Sequence, residues 1–386
     1  VSSETPAAAS PLLTLPGAVA GPAGTADHYG EPVAEQRMLE QGRAIVDLSD
    51  RGVVTVTGPD RLTWIDSLTS QAVTTLEAGG SAETLLLDPQ GRLEHSIRLI
   101  DDGVTTWMLV DAAQAAPLAA WFDRMRFMMR VEVADVSAEW ATIGQLLPEG
   151  AALLVEPAAP NAQPLLWRDP WVAVRDGGWQ YALDERHPGA DYPAVEVLVP
   201  RSKLPALAER VRGGEVAAAG ALALEALRVA AWRPRLIDAD ERSIPHELDW
   251  LRSAVHLTKG CYRGQETVAK VHNLGHPPRR LVMLHLDGSA SVLPEPGSPV
   301  LLYGADVGRL TASARHHELG PIGLAVVKRS LDEAAALTVP AVVRDADGAP
   351  TDEVVPVAAA QQTIVPPSAG ATAGVPRIPR LGAVRR

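Results

Sequence analysis

The sequence predicts an α+β chain in which two comparable halves alternate short strands with helices and a small antiparallel β-barrel follows. Three observations predict it. Between residues 44 and 133, apolar and β-branched runs are separated by short turns and two helical stretches, giving the order ββαβββαβ. A similar alternation recurs from Trp140. After His276-Pro277-Pro278 the helical patterns stop, and strand-like runs follow one another with Gly and Pro between them.

The elements follow in order. Ala44 to Asp47 and Val53 to Val56 are β-branched runs on either side of a polar Asp50-Arg51-Gly52 turn, which reads as a hairpin. Arg61 to Leu68 sets Leu62, Ile65 and Leu68 at helical spacing behind Pro59, a start signal. Strands at Glu83 to Leu87, Leu93 to Ile100 and Val104 to Val110 are joined by the turns Asp88-Pro89-Gln90-Gly91 and Asp101-Asp102-Gly103. A helix over Pro117 to Met128 leads into the strand Val131 to Val133. The second half has strands at Ala141 to Leu147, Trp171 to Val174, Trp179 to Leu183 and Val195 to Val199, then helices at Pro200 to Arg212 and Ala217 to Val229. Barrel strands are expected at Arg280 to Leu286, Pro299 to Leu302, Val307 to Ala314, Ile322 to Lys328 and Thr338 to Val343.

These readings divide the chain. Residues 1–26, rich in Pro, Gly and Ala and without the positive start of a secretory signal, read as a disordered tail. The α+β region spans 27–275, with halves of roughly 27–135 and 136–275. The barrel takes 276–360, and 361–386 read as a second disordered tail.

Composition narrows the partners. With 386 residues, 46% of them hydrophobic and 21% charged, the chain has ample material for a core. Its 35 basic and 47 acidic residues leave a net charge of −12, which argues against direct, tight nucleic-acid binding. No apolar run reaches the ~18 to 20 residues of a membrane-spanning helix, so no membrane association is expected. The single Cys excludes an internal disulfide and a multi-thiolate metal site built from this chain alone. A reducing cytoplasm is the compartment that fits.

Only four residues are Lys, and two of them share one twelve-residue stretch with that Cys, Lys259 to Lys270. Within it Lys259-Gly260-Cys261-Tyr262-Arg263-Gly264-Gln265-Glu266 sets cations two residues before and two after the thiol. Cations and a helix start near Gly264 favour a thiolate, which makes Cys261 a candidate reactive centre. The two glycines suit a loop that wraps a ligand. The competing reading makes Cys261 a small buried hydrophobe beside a turn. His246, His256, His272 and His276 lie nearby but match no ligand spacing, so no metal site is expected.

KGCYRGQE resembles the signature of the YgfZ group, relatives of the glycine-cleavage T-protein that bind tetrahydrofolate and act in iron–sulfur protein assembly or maintenance. Residues 46–70, 85–100, 225–247 and 308–329 also resemble segments of that group, so about 40–345 are covered. The resemblance implies the T-protein (GcvT-like) folate-binding fold, with two intertwined α+β halves around a central channel and a terminal barrel.

It also implies a function. The chain would be a tetrahydrofolate-binding accessory factor supporting iron–sulfur enzymes, among them tRNA-modifying ones. Its partners would be the folate and iron–sulfur proteins or assembly factors. Cys261 would be the reactive group, tuned by Lys259 and Arg263. Gly260 and Gly264 would shape the loop, with Tyr262 between them, and Gln265 and Glu266 would fix it by hydrogen bonds. Whether Cys261 attacks a substrate, ligates a cluster or resolves a mixed disulfide stays open. The alternative is a folate-dependent aminomethyltransferase of the T-protein type. T-proteins carry an acidic pair where this chain has Glu94 and His95, and their Leu-Arg-x-Glu-Ala-Gly, whose Glu grips the pterin, reads Leu227-Arg228-Val229-Ala230-Ala231-Trp232 here. Folate contacts are therefore expected from Arg228, with Glu247 and Glu266 as substitute carboxylates. A third reading is a ligand-free scaffold.

Overall fold

A computed structural model describes residues 9–184, 186–345 and 348–374. The first half contains β1 (Val19–Ala20), β2 (Ala26–His28), α1 (Pro32–Glu40), β3 (Ala44–Asp47), β4 (Gly52–Thr57), α2 (Arg61–Leu68), β5 (Ser81–Leu87), β6 (Leu93–Asp101), β7 (Thr105–Val110), α3 (Ala112–Met125) and β8 (Glu132–Asp135). The second holds β9 (Trp140–Leu146), β10 (Leu166–Arg168), β11 (Ala194–Pro200), α4 (Leu204–Arg212), β12 (Ala217–Ala219), α5 (Ala221–Ala230) and α6 (Gln265–Leu274). Strands β13 (Arg279–Leu286), β14 (Pro299–Leu302), β15 (Ala305–His316), β16 (Gly320–Lys328), β17 (Ala336–Arg344) and β18 (Pro350–Thr363) close into a barrel in the order β13-β16-β15-β14-β17-β18.

The two halves are interlocked. One sheet runs β10-β11-β9-β3-β12 and the other β5-β6-β7-β4-β8. Strands β3 and β4, which read as a hairpin, therefore part company: β3 pairs with β9 and β12, whereas β4 pairs with β7 and β8. The reason lies in their side chains. All four β3 residues and five of the six in β4 are buried, so each strand needs cover on both faces, which a shared two-stranded ribbon cannot supply. The link Leu48 to Arg51 crosses between the sheets, and Asp50 and Arg51 face the space there.

Other departures have local causes. In place of the strand expected at Trp171 to Val174 there is a single 3₁₀ turn, Pro170–Val172, started by Pro170 and capped by the Asp169 side chain, and 179–183 form no strand. The helix expected at 217–229 is the parallel strand β12 followed by α5, broken at Gly220, where a Cβ would lie 2.1 Å from the Asp27 carbonyl oxygen. Residues 9–26, read as tail, are ordered instead. Ser10 caps a 3₁₀ turn, and Leu12 and Leu15 bury themselves against the β9–β11 sheet and α4. At the other end β18 continues to Thr363, Ile364 and Val365 are buried, and Thr372 and Ala373 donate backbone N–H groups to the His272 and Asn273 carbonyls. These apolar residues outweigh the surrounding Pro and Gly. The outer parts of both expected tails, 1–8 and 375–386, lie outside the described residues. No helix among the described residues is long and apolar enough to cross a membrane.

Candidate functional site

The KGCYRGQE loop is fastened at both sides of its cysteine. Lys259 turns toward the end of α2 and donates to the carbonyl oxygens of Asp66 (2.6 Å), Thr69 (2.9 Å) and Gln71 (2.7 Å). Its Nζ is also 3.3 Å from Asp66 Oδ2, and the side chain is 3% exposed. The cation meets the carbonyl end of a helix, where partial negative charge collects. Lys259 is thus a clamp between loop and helix, a role its reading as a tuner of the thiol did not include. Burial pushes its ammonium pKa down, against the attraction of Asp66.

Arg263 is committed elsewhere too. Its guanidinium makes a two-point contact with Glu94, Nη2 donating to Oε1 at 3.2 Å and Nη1 to Oε2, and its centre lies 5.7 Å above the Trp121 ring. Gly264 has φ +83°, and a Cβ there would meet the Asp88 carbonyl oxygen at 2.6 Å and Gly91 Cα at 3.0 Å. Only glycine permits that approach of the loop to the β5–β6 turn. Gly260 is exposed, with neither a positive φ nor any atom within 4 Å of an added Cβ, so the geometry makes no demand for glycine there. Gln265 Nε2 donates to the carbonyls of Lys259 (3.2 Å) and Gly260 (3.3 Å), whereas Glu266 is exposed and its side chain makes no hydrogen bond among the described residues. Tyr262 is buried beneath Lys259, Nζ to ring 5.5 Å, and burial raises its pKa. Cys261 is exposed, which sets aside the reading of a buried hydrophobe.

The hairpin that receives the loop also walls a cavity. Between Leu86–His95 and Leu87–Leu93 the β5–β6 register shifts, leaving Glu94 as the extra residue of a bulge. Two residues on, Ser96 lines a cavity of about 340 Å³ between the two sheets, a volume in the range of small-molecule sites. Five arginines line it: 51, 98, 228, 233 and 235. Glu196 accepts from Arg51 and from Arg98 Nη1 (3.1 Å), and Arg235 Nη2 donates to Asp111 at 3.0 Å. Arg228 pairs with Glu225 and, at 2.7 Å, with Asp238. Arg233 bridges Glu83 (2.7 Å) and Asp169 (2.9 Å). Burial raises the carboxyl of Glu196, but Arg51 and Arg98 more than offset it and hold its pKa below the usual range. At Asp169 burial wins over Arg233 and pushes the pKa up to about 6.

Of the expected folate contacts, Arg228 lines the cavity and is held by two carboxylates. Glu247 does not line it: both oxygens accept from Arg279, at 3.0 and 2.8 Å. Glu266 points into no such space, being exposed on the first turn of α6. Ala230 packs against the core cluster that includes Trp232 and Trp250. His95 is buried, its pKa lowered by burial, so its ring is neutral near pH 7. The four neighbouring histidines do not converge. His246, His272 and His276 bond to the Val268 carbonyl (3.0 Å), the Tyr181 hydroxyl (3.0 Å) and the Ala369 carbonyl (2.7 Å).

The cavity nevertheless suits a reduced folate. Glu196 Oε2 and Arg235 Nε are buried there without partners among the described residues, leaving an acceptor for ring N–H groups and a donor for a carbonyl or carboxylate. Sequence reading missed these residues. For Glu196 the signal was a lone charge inside an apolar strand, Val195-Glu196-Val197, as with Glu83 in β5.

Residues 26–160 match the model of the GCVT N-terminal domain. A putative chloroplastic transferase of Arabidopsis thaliana is 22% identical over 316 residues, covering 75% of this chain and 66% of that protein. An aminomethyltransferase of Herpetosiphon aurantiacus is 26% identical over 309 residues, 78% of this chain and 82% of the relative. A mitochondrial iron–sulfur cluster assembly factor IBA57 homolog of Mycosarcoma maydis is 25% identical over 249 residues, 61% of this chain and 55% of that one. Among solved structures, the glycine cleavage system aminomethyltransferase T from Bartonella henselae matches with a TM-score of 0.65 over 89% of this chain and 93% of its own, at 16% identity. Residues 26–160 are therefore similar to the GCVT N-terminal domain, and the chain has the fold of that aminomethyltransferase.

Proposed function

We propose that the chain is a YgfZ-like accessory protein that binds a reduced folate, tetrahydrofolate or a derivative, and supports iron–sulfur cluster assembly or maintenance, and through its clients tRNA modification. The observation that carries the proposal is the exposure of Cys261 on a loop anchored to the hairpin that walls the charged cavity. The similarity to an iron–sulfur assembly factor supports the same direction. Arg228 and Arg235, with the open acceptor on Glu196, are the groups that would hold the folate. When bound, that group carries or accepts a one-carbon unit. This chain's residues orient it and exclude water from around it. Cys261 faces outward and is the chain's only thiol, so any cluster it touches must be completed by thiolates from a partner. Replacing Cys261 by Ala in the cell should lower the activities of iron–sulfur enzymes at unchanged protein level. Unaltered activities would remove the thiol from the mechanism.

A second reading, aminomethyl transfer, is favoured by the relatives that bear that name. Against it, Glu94 is bound to Arg263 and its neighbour is a buried neutral histidine, so neither supplies a free carboxylate. Incubation with tetrahydrofolate and an aminomethyl donor decides it: methylene-tetrahydrofolate forms if the chain is a transferase.

A further inference from the structure

We infer that Asp50 is the carboxylate that receives the amino and N3–H edge of the pterin, a role that Ala230, Glu247 and Glu266 leave open. The inference rests on the folate reading and assigns its recognition residue. Asp50 stands in the four-residue link that carries the chain from β3 in one sheet to β4 in the other, so it faces the cavity from the crossover itself. Glu83, Asp111, Asp169, Glu196 and Glu225 also line the cavity, and each is paired with an arginine. Asp50 has no ion-pair partner within reach among the described residues, and its only hydrogen bond is with its own backbone N–H. Burial pushes its carboxyl pKa up and the charge of Asp47 adds to that, while Arg51 and Arg235 oppose the shift from nearby.

A half-buried carboxylate whose sole donor is its own backbone N–H is costly to keep, and two parallel N–H groups at guanidine-like spacing are what it accepts best. The pterin edge offers that pair. Nearby, Glu196 Oε2 is on a side chain 8% exposed and is also unpartnered, so the same cavity holds a second acceptor for ring nitrogens. Asp27 is the other lining carboxylate without an ion pair, but it sits on β2 of the N-terminal segment, packed over Gly21.

Calorimetric titration of the full chain tests this, with tetrahydrofolate and with p-aminobenzoylglutamate, which has the tail but no pterin. Asp50→Asn should weaken tetrahydrofolate roughly tenfold to a hundredfold and leave p-aminobenzoylglutamate and the melting temperature unchanged. Asp50→Ala should give the same pattern, and Asp27→Asn should bind as the parent does. Equal tetrahydrofolate affinity in Asp50→Asn, or an equal loss for both probes, overturns the assignment and leaves the folate reading standing. A loss confined to Asp27→Asn does the same. If the unaltered chain fails to bind tetrahydrofolate, the folate reading itself falls and this inference with it.

Discussion

Lys259→Met separates two roles that its place in the motif confounds. The ammonium has three carbonyl oxygens at 2.6–2.9 Å and a carboxylate oxygen at 3.3 Å, on a side chain 3% exposed. Methionine fills the stem's volume but leaves those acceptors without a donor. At about 1 kcal/mol or more for each orphaned acceptor, the loss should total about 3–5 kcal/mol. For a chain of this size that lowers the melting temperature by roughly 4–6 °C. Scanning calorimetry reads it, and hydrogen exchange should place the lost protection at the end of α2 and in the loop before Cys261. Lys259→Arg should recover less than half, because a planar guanidinium cannot bring three donors to one point among three carbonyls. A variant that melts within a degree of the parent but alkylates at Cys261 at a changed rate refutes the clamp and restores the thiol-tuning role.

Two further substitutions probe the frame around the loop. Gly264→Ala combines a left-handed backbone with a Cβ 2.6 Å from the Asp88 carbonyl oxygen, so it should cost about 2–4 kcal/mol in urea unfolding; an unchanged midpoint would show that the loop does not rest on the β5–β6 turn. Asp249 is fully buried, accepts from the Tyr181 and Ala182 backbone N–H groups, and has its pKa pushed up to about 7 by burial, with Arg252 opposing. Its folded pKa exceeds the unfolded value of about 4, so the folded state holds a proton the unfolded chain releases. Stability should then fall as pH rises from about 4 to 7, by on the order of 4 kcal/mol, and level off above. Asp249→Asn can keep the bond from the Tyr181 N–H but loses the weaker one from Ala182, so it should lower stability at every pH and remove that slope; parallel pH profiles for the two proteins would refute the assignment.

The sequence was most legible where periodicity and motif agree. β5, β6 and β7 follow from their alternation and Asp-Gly turns, and α6 from the glycine before it. Legibility failed where a local signal competes with a distant partner. Asp50-Arg51-Gly52 has the composition of a hairpin turn, yet the burial of both flanking strands sends them into different sheets, a demand that local turn chemistry does not express. Leu12 and Leu15 stand among helix breakers, and only the sheet they cover shows why they are ordered. At the site, Cys261 was marked by rarity, but the cavity arginines were not, because Arg is common throughout the chain. Each becomes meaningful only beside its carboxylate, and those lie up to 150 residues away, as in Arg233 and Glu83.

The cations flanking Cys261 suggested a tuned thiol, yet both are occupied, Lys259 with the end of α2 and Arg263 with Glu94 on the bulge of β6. The loop is therefore held two residues before and two after the sulfur by contacts that do not involve it. Four Cα-to-Cα steps of no more than about 3.6 Å each separate the anchors, so the segment between them spans at most about 14 Å. Within that length Cys261 is exposed and its neighbour Tyr262 is buried, which turns the thiol outward. A nucleophile acting on a ligand inside the cavity would be served by the opposite arrangement. An exposed sulfur on a braced loop instead suits a reaction whose other half arrives on a second protein. The bond from Arg263 to Glu94, two residues from cavity-lining Ser96, then becomes a structural route by which an occupied cavity could alter how that sulfur is presented.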